Sequence, residues 1–197
     1  MSEEVDQGRR RLLVSATALT GAVGVVFAAT PFLASWKPSA RAKALGAPIE
    51  IDVSKLEPGA MLKVEWRGKP VWVVRRTPEM LKQLDKATPF LLDPTSAGSV
   101  QPDYAKNEAR ARKPEYLVVL GVCTHLGCSP LPKFETPDVT VSADWPGGFY
   151  CPCHGSKFDL SGRVFKGVPA PSNLTVPPYT FLTDGRILVG SDSAQSA

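Results

Sequence analysis

All the cysteines and histidines of this 197-residue chain lie in two short motifs, residues 123–128 (CTHLGC) and 151–156 (CPCHGS). Each motif holds one Cys and one His at ligand spacing, C-x-H in the first and C-x-x-H in the second, plus one extra Cys. Two thiolates and two imidazoles can make a metal site. The two remaining cysteines, Cys128 and Cys153, lie beside this site, one in each motif.

The pattern resembles the Rieske iron–sulfur proteins. The resemblance implies one 2Fe–2S cluster, with Cys123 and Cys151 on one iron and His125 and His154 on the other. Two neutral imidazoles in place of two thiolates remove negative charge. This raises the reduction potential to about −150 to +300 mV, against about −400 mV for all-thiolate clusters. Electrons are expected to enter and leave through the imidazole edges.

A structural zinc site is the alternative, because zinc accepts the same two Cys and two His ligands. Zinc does not explain why an extra Cys accompanies each ligand pair. A disulfide between Cys128 and Cys153 would clamp the two loops together, and such a bond persists only in an oxidising compartment. In the Rieske family the extra pair marks the quinol-oxidising and related high-potential branch.

The resemblance also implies roles for residues around the cluster. Ser156 matches a serine whose hydroxyl donates to a bridging sulfide, which raises the potential. Phe158 stands where many relatives have a tyrosine donor, so the potential should be lower than in those relatives. Residues 167–171 (GVPAP) resemble the proline loop beside the cluster, with Val168 as a departure. Leu126 is expected either to cover the cluster or to be an ordinary core leucine.

The N-terminal region predicts a membrane segment. Leu12 to Trp36 carries no charge over 25 residues, about 37 Å of helix against a hydrocarbon core of about 30 Å. Arg9, Arg10 and Arg11 precede it and resemble a twin-arginine export signal, whose route carries folded proteins. A cleaved signal peptide is the alternative, since residues 40–42 (ARA) satisfy a small-x-small site.

The predicted fold is all-β: a Rieske fold of stacked antiparallel sheets with a small cluster-binding subdomain, preceded by one transmembrane helix. The predicted domains are a cytoplasmic tail (1–11), a transmembrane anchor (12–36), a flexible hinge or linker (37–46) and the Rieske head (47–197), whose cluster-binding part is about 120–171. The interfacial end of the membrane helix is an alternative reading of 37–46.

Short alternating or apolar runs predict the strands of the head. These runs are 61–66, 71–76, 116–122, 179–182 and 187–189. The first two flank residues 67–69 (RGK) and predict a hairpin. Thr77 and Pro78 predict the cap and first residue of a short helix that ends near Ala87. The chain between Cys128 and the second motif is rich in Pro, Asp and Gly, so we expect a polar surface loop there.

The net charge of +4 does not indicate a nucleic-acid partner, because the basic residues are scattered. The resemblance implies electron transfer in a respiratory cytochrome bc complex, from ubiquinol to a c-type cytochrome. His154 is the expected catalytic residue, which contacts the quinol and accepts a proton. Cytochrome b and a c-type cytochrome are the expected partners, in a dimeric complex of the bacterial inner membrane with the head in the periplasm.

Two other functions remain open at this point. A soluble-type electron-transfer module or oxygenase component fits the ligand pattern, but the apolar segment and the extra cysteine pair argue against it. The small Rieske subunit of an exported oxidoreductase such as arsenite oxidase can share both the export signal and the disulfide.

Overall fold

A computed structural model of the chain describes residues 6–193, which form two compact units, residues 6–44 and 45–193. The first five residues of the predicted cytoplasmic tail and the last four of the chain lie outside the described residues.

The first unit is built on helix α1 (Gln7–Ser35). Asp6 caps it, because its carboxylate accepts hydrogen bonds from the backbone N–H groups of Gly8 and Arg9 at 2.9 and 3.1 Å. The helix therefore begins before the three arginines and not at Leu12. Within the helical segment Gln7–Ala44 the mean hydropathy reaches 2.1, which is long and apolar enough to cross a membrane.

A short helix, α2 (Ala40–Gly46), occupies most of the segment predicted as a flexible linker. The helix was not foreseen within the predicted flexible hinge or linker over 37–46, which stays a prediction. It forms because ARAKAL consists of strong helix formers. The Ser39 hydroxyl also accepts a hydrogen bond from the Ala42 N–H at 3.1 Å and caps the first turn.

The head contains three antiparallel sheets of three strands each. The first joins β1 (Ile49–Asp52), β9 (Arg186–Val189) and β8 (Tyr179–Thr183). The second joins β2 (Met61–Trp66), β3 (Lys69–Arg75) and β4 (Tyr116–Leu120). The third joins β5 (Leu131–Lys133), β6 (Gly148–Tyr150) and β7 (Lys157–Phe158). The predicted antiparallel all-β head is confirmed.

The hairpin predicted between β2 and β3 is confirmed. Arg67 and Gly68 both have positive φ, 53° and 69°, as a two-residue turn of type I′ requires. Helix α3 (Pro78–Ala87) follows β3, and the Thr77 hydroxyl caps it by accepting from the Met80 N–H. Its buried side chains, Met80, Leu84 and Ala87, face the core.

The polar loop expected after Cys128 is more ordered than predicted. It contributes β5, which pairs with β6. It also buries Trp145, which is 2% exposed and whose indole N–H donates to the Lys133 carbonyl at 2.8 Å. A three-residue strand carries too short a pattern to be recognised against its polar neighbours.

Candidate metal centre

The two motifs form loops with the same backbone hydrogen bonds. In each loop the N–H of the first cysteine donates to the carbonyl five positions later, at 2.7 Å for Cys123 and 2.8 Å for Cys151. Each of these cysteines accepts through its own carbonyl from the glycine four positions later, at 3.0 and 2.9 Å. Gly127 and Gly155 both have positive φ, 84° and 76°, which a side chain would strain. The two loops are therefore equivalent ligand holders.

The backbone next to each ligand loop passes so close to other atoms that only glycine fits at two positions. At Gly121, which follows β4, an added Cβ would lie 2.1 Å from the indole of Trp72. Gly148, at the start of β6, would place one 2.0 Å from the Phe158 carbonyl oxygen. Both contacts bring a ligand loop close to the packed sheets. The first loop thus follows β4, and the second connects β6 to β7.

The four predicted ligands separate by exposure. Cys123 and Cys151 are free thiols that are only 3% and 1% exposed. His125 is half-buried and His154 is exposed, with ring centroids 4.8 Å apart and nearly perpendicular planes. The structure thus brings the two loops together with thiols inside and imidazoles outside.

The electrostatics of the thiols suit a metal centre. Burial, together with the neighbouring Cys123 thiol, raises the pKa of the Cys151 thiol. A buried thiolate needs a compensating cation, and a bound metal ion supplies that charge while it releases the proton.

The two remaining cysteines form a disulfide. Cys128 and Cys153 are bonded to each other and join loops that are 25 residues apart. Their sulfurs and that of Cys151 all lie within 4.8 Å of one another. Because a disulfide sulfur is no thiolate ligand, this proximity does not add a ligand to the site. It places the bond next to the buried thiol, as the predicted clamp requires.

The proline loop and the residue after it, Ser172, are hydrogen-bonded to the two ligand loops. The buried Ser156 hydroxyl accepts from the Ala170 N–H at 3.1 Å, so its own hydrogen remains free to donate. The Thr124 hydroxyl donates to the Ser172 carbonyl at 2.6 Å. Sequence reasoning missed Thr124, although its place between two predicted ligands was a signal that its hydroxyl had a structural use.

Leu126 is not a core residue, because it is 72% exposed. The alternative of an ordinary core leucine is therefore wrong. Val168, the departure in the proline loop, is half-buried and packs against the core. Phe158 is fully buried within that core.

The imidazoles lie near the surface, since His154 is exposed and His125 is half-buried. A groove of about 910 Å³ runs beside the second loop, lined by residues that include Trp145, Gly155 and Val168. Neither His125 nor His154 lines it. The histidine edges instead face outward beside the exposed Leu126, a shape that suits contact with another molecule's surface.

The comparisons with known proteins agree with this geometry. A family model described as "Rieske [2Fe-2S] domain" matches residues 49–179. This chain belongs to the Rieske iron–sulfur family. A second model, described as "Ubiquitinol-cytochrome C reductase Fe-S subunit TAT signal", matches residues 1–39. The predicted Rieske fold and twin-arginine signal are both confirmed.

Curated Rieske relatives extend over almost the whole chain. The "Ubiquinol-cytochrome c reductase iron-sulfur subunit" of Allochromatium vinosum is 59% identical, over 97% of this chain and 92% of that protein. The protein of the same name from Blastochloris viridis is 43% identical, over 98% of each. A chain of the solved structure "Hyperthermophilic respiratory Complex III" is 28% identical, with a TM-score of 0.47, over 88% of this chain and 97% of that chain.

The donor set fits the cofactor that the family implies. A Rieske [2Fe–2S] cluster takes two thiolates on one iron and two imidazoles on the other. The described loops bring two free buried thiols and two adjacent imidazoles to one place, and the remaining cysteine pair is closed as a disulfide. The cofactor of this Rieske protein is one [2Fe–2S] cluster.

Proposed function

We propose that this chain is the iron–sulfur subunit of a ubiquinol–cytochrome c reductase. It accepts an electron from ubiquinol, coupled to a proton, and passes the electron to a c-type cytochrome. The observation that carries the proposal is the exposed histidine edge. The imidazoles lie outside every part of the groove and beside an exposed leucine, so a donor and an acceptor can each approach the same edge.

Each ligand has a proposed role. Cys123 and Cys151 hold the inner iron, and His125 and His154 hold the outer one. When bound, the cluster supplies a one-electron store at a high potential. His154 is the more exposed imidazole, so its ring N–H contacts the quinol and carries the proton.

Residues around the ligands complete the site. The Ser156 hydroxyl is placed to donate to a sulfide, and the side chain of Leu126 shields the cluster edge when a partner docks. The disulfide Cys128–Cys153 holds the two ligand loops against each other.

The proposed placement follows from the N-terminal unit. The side chains of α1 are apolar and exposed over most of its length, so a hydrocarbon core would cover them. Residues 1–11 then lie in the cytoplasm, 12–36 span the bacterial inner membrane and 37–46 connect the anchor to a head in the periplasm. In this arrangement the partners are cytochrome b and a c-type cytochrome of a dimeric complex.

Purification from native membranes tests this function. We expect the tagged full chain to copurify with b-type and c-type haem in stoichiometric amounts and with ubiquinol–cytochrome c reductase activity. Copurification with a molybdenum enzyme and no b-type haem would replace this proposal with the small subunit of an exported oxidoreductase.

Ligand variants test the site itself. Cys123→Ser, His125→Ala, Cys151→Ser and His154→Ala should each abolish the iron–sulfur signal in electron paramagnetic resonance (EPR), because each removes one of four iron ligands. A full signal in one variant would show that the residue is not a ligand. Ser129→Ala, an exposed serine next to the disulfide, serves as the control and should keep the signal.

A further inference from the structure

Three buried arginines converge on one turn of the head, residues 159–163 (DLSGR). The Arg76 guanidinium donates through Nη1 to the Ser161 hydroxyl at 2.8 Å and to the Leu160 carbonyl at 3.1 Å. The Arg110 guanidinium donates through Nη1 to the Ser161 carbonyl at 3.2 Å. Arg163 is part of the turn. The three are 2%, 0% and 1% exposed, respectively.

Three carboxylates lie around this cluster, and one of them is fully buried. The buried carboxylate that contacts it is Asp159, whose Oδ2 lies 2.7 Å from Arg163 Nε. Glu108 lies 3.7 Å from Arg163 Nη1 but is half-exposed. The half-buried Asp93 acts electrostatically on Arg110. Among residues 6–193, Arg76 Nη2 and Arg110 Nε find no hydrogen-bond acceptor. Burial lowers the pKa of Arg76 and of Arg110 to about 10, so both remain cations at neutral pH.

The turn is connected directly to the metal centre. The turn follows β7 directly. Strand β7 pairs with β6, the strand that precedes the second ligand loop. A Cβ on Gly148 would lie 2.9 Å from the Asp159 Cα, and Gly148 precedes Cys151 by three residues, roughly 10 Å of extended chain. The turn therefore packs against the strand that leads into the second ligand loop. The proline loop begins at residue 167, a few residues after this turn ends.

We propose that the buried cations Arg76 and Arg110 act as tuning residues that raise the reduction potential of the cluster. Reduction adds one negative charge to the metal centre, and a fixed buried cation stabilises that charge. In the effective dielectric of a protein interior, a unit charge on the order of 15 Å from a redox centre changes its equilibrium constant for reduction several-fold. The proposal rests on the ligand set above but not on the identity of the electron donor or acceptor.

A redox titration of the full chain, purified in detergent and followed by EPR, tests this. Arg76→Met should lower the equilibrium constant for reduction about threefold or more, and a tenfold change is 59 mV for a one-electron couple. Arg76→Lys keeps the charge and should retain most of the wild-type potential. Because the charge is buried, the difference between Arg76→Met and wild type should persist in 1 M salt, where exposed charges are screened.

Two further variants separate charge from structural damage. Arg186→Gln removes the same charge from an exposed arginine that pairs with Glu50, and it should leave the potential unchanged. Arg110→Met removes the second buried cation, and it should lower the potential as Arg76→Met does. A merely structural role of Arg76 would not predict the same shift at Arg110 and none at Arg186.

Three results would overturn the proposal. The first is an Arg76→Met protein with full iron content and an unchanged potential. The second is an Arg76→Lys potential as low as that of Arg76→Met, which would assign the effect to hydrogen bonds. If Arg76→Met does not hold iron, the Arg110→Met variant decides. An unchanged potential in Arg110→Met is the third result. A wild-type protein without an iron–sulfur signal would instead refute the ligand set.

Discussion

The proposed ligands sit at different depths because their side chains leave the same loops at different places. Cys151 comes directly after β6, and Cys123 lies three residues after the end of β4, where the chain is still inside the protein. His125 and His154 lie two and three residues farther on, near the tips of the loops. A thiolate needs a nearby cation when it is buried, whereas a neutral imidazole can remain at the surface. The depth of each ligand therefore follows from its position in the loop.

At this scale we predict that Ser156 and Phe158 tune the potential in opposite directions. Ser156→Ala should lower the midpoint potential, because the hydroxyl that is free to donate is lost. Phe158→Tyr should raise it if the new hydroxyl reaches a ligand sulfur. A hydrogen bond to a charged group is worth roughly 1.5–3 kcal/mol, which sets an upper bound on the order of 100 mV for a one-electron couple.

EPR-monitored titration of both variants gives the shifts, with Ser129→Ala as the control for loss of a serine hydroxyl. An unchanged potential in Phe158→Tyr would mean that this side chain does not point toward the cluster. It is buried in the core, so iron content must be measured in the same samples.

Single residues also show where sequence reasoning stops. Residue type and spacing were enough to select four candidate ligands, because no cysteine or histidine occurs elsewhere. They could not decide between a buried and an exposed Leu126, because exposure depends on how the loop tip projects. Thr124 was missed because its partner Ser172 is 48 residues away in the sequence, and only the folded chain brings the two together.

Among the elements, the third sheet and its disulfide hold the two ligand loops in place. Changing both Cys128 and Cys153 to Ala should lower the free energy of unfolding by about 3 kcal/mol, from the entropy of closing a loop of this length. Cluster content or potential should fall too, because the clamp beside the Cys151 sulfur is lost. Because neither residue binds iron in the proposed site, part of the iron–sulfur signal should remain.

Thermal unfolding and iron analysis check this variant, and mass spectrometry of the unreduced wild type checks the bond. Two free thiols in protein from native membranes would contradict both the pairing and the oxidising compartment. Complete loss of iron in the variant would indicate that one of these cysteines is a ligand.

Elements with a regular pattern were predictable, and elements fixed by their surroundings were not. The hairpin of β2 and β3 and the capped helix α3 follow from turn and cap residues that act locally. Strand β5 forms only because β6 lies beside it. Trp145 is buried because it packs against distant residues such as Phe165, which no local sequence pattern indicates. Helix α2 was predictable from propensity, but its charged and small residues indicated a linker.

At the scale of the whole molecule, the stability of the head should depend on Tyr179 at alkaline pH. Burial raises the pKa of Tyr179 to about 12, from its ordinary value of about 10. Its stabilising contribution is therefore fully present below pH 10 and is lost as the pH rises through about 12. The loss amounts to at most about 3 kcal/mol.

Thermal unfolding midpoints of wild type and Tyr179→Phe, measured from pH 9 to pH 12, test this. The difference between the two proteins is the quantity to follow, because Arg76 and Arg110 act in the opposite direction over the same range. Their pKa values are lowered to about 10, so rising pH relieves the destabilising effect of their buried charge. Differences that stay constant over the whole range would contradict the role of Tyr179.

Removal of residues 1–44 should separate membrane attachment from the chemistry of the head. The first unit exposes the apolar helix α1, whereas the second contains the sheets, both ligand loops and the disulfide. We expect the shortened protein, purified under oxidising conditions, to stay in solution without detergent and to keep its iron–sulfur signal. In cells it should not sustain quinol–cytochrome c reduction, because nothing holds it at the membrane.

Arg9→Lys with Arg10→Lys in the full chain is the matched control, because it should impair export through the twin-arginine route while α1 stays intact. Loss of the iron–sulfur signal on removal of residues 1–44 would show that the first unit takes part in forming the metal centre.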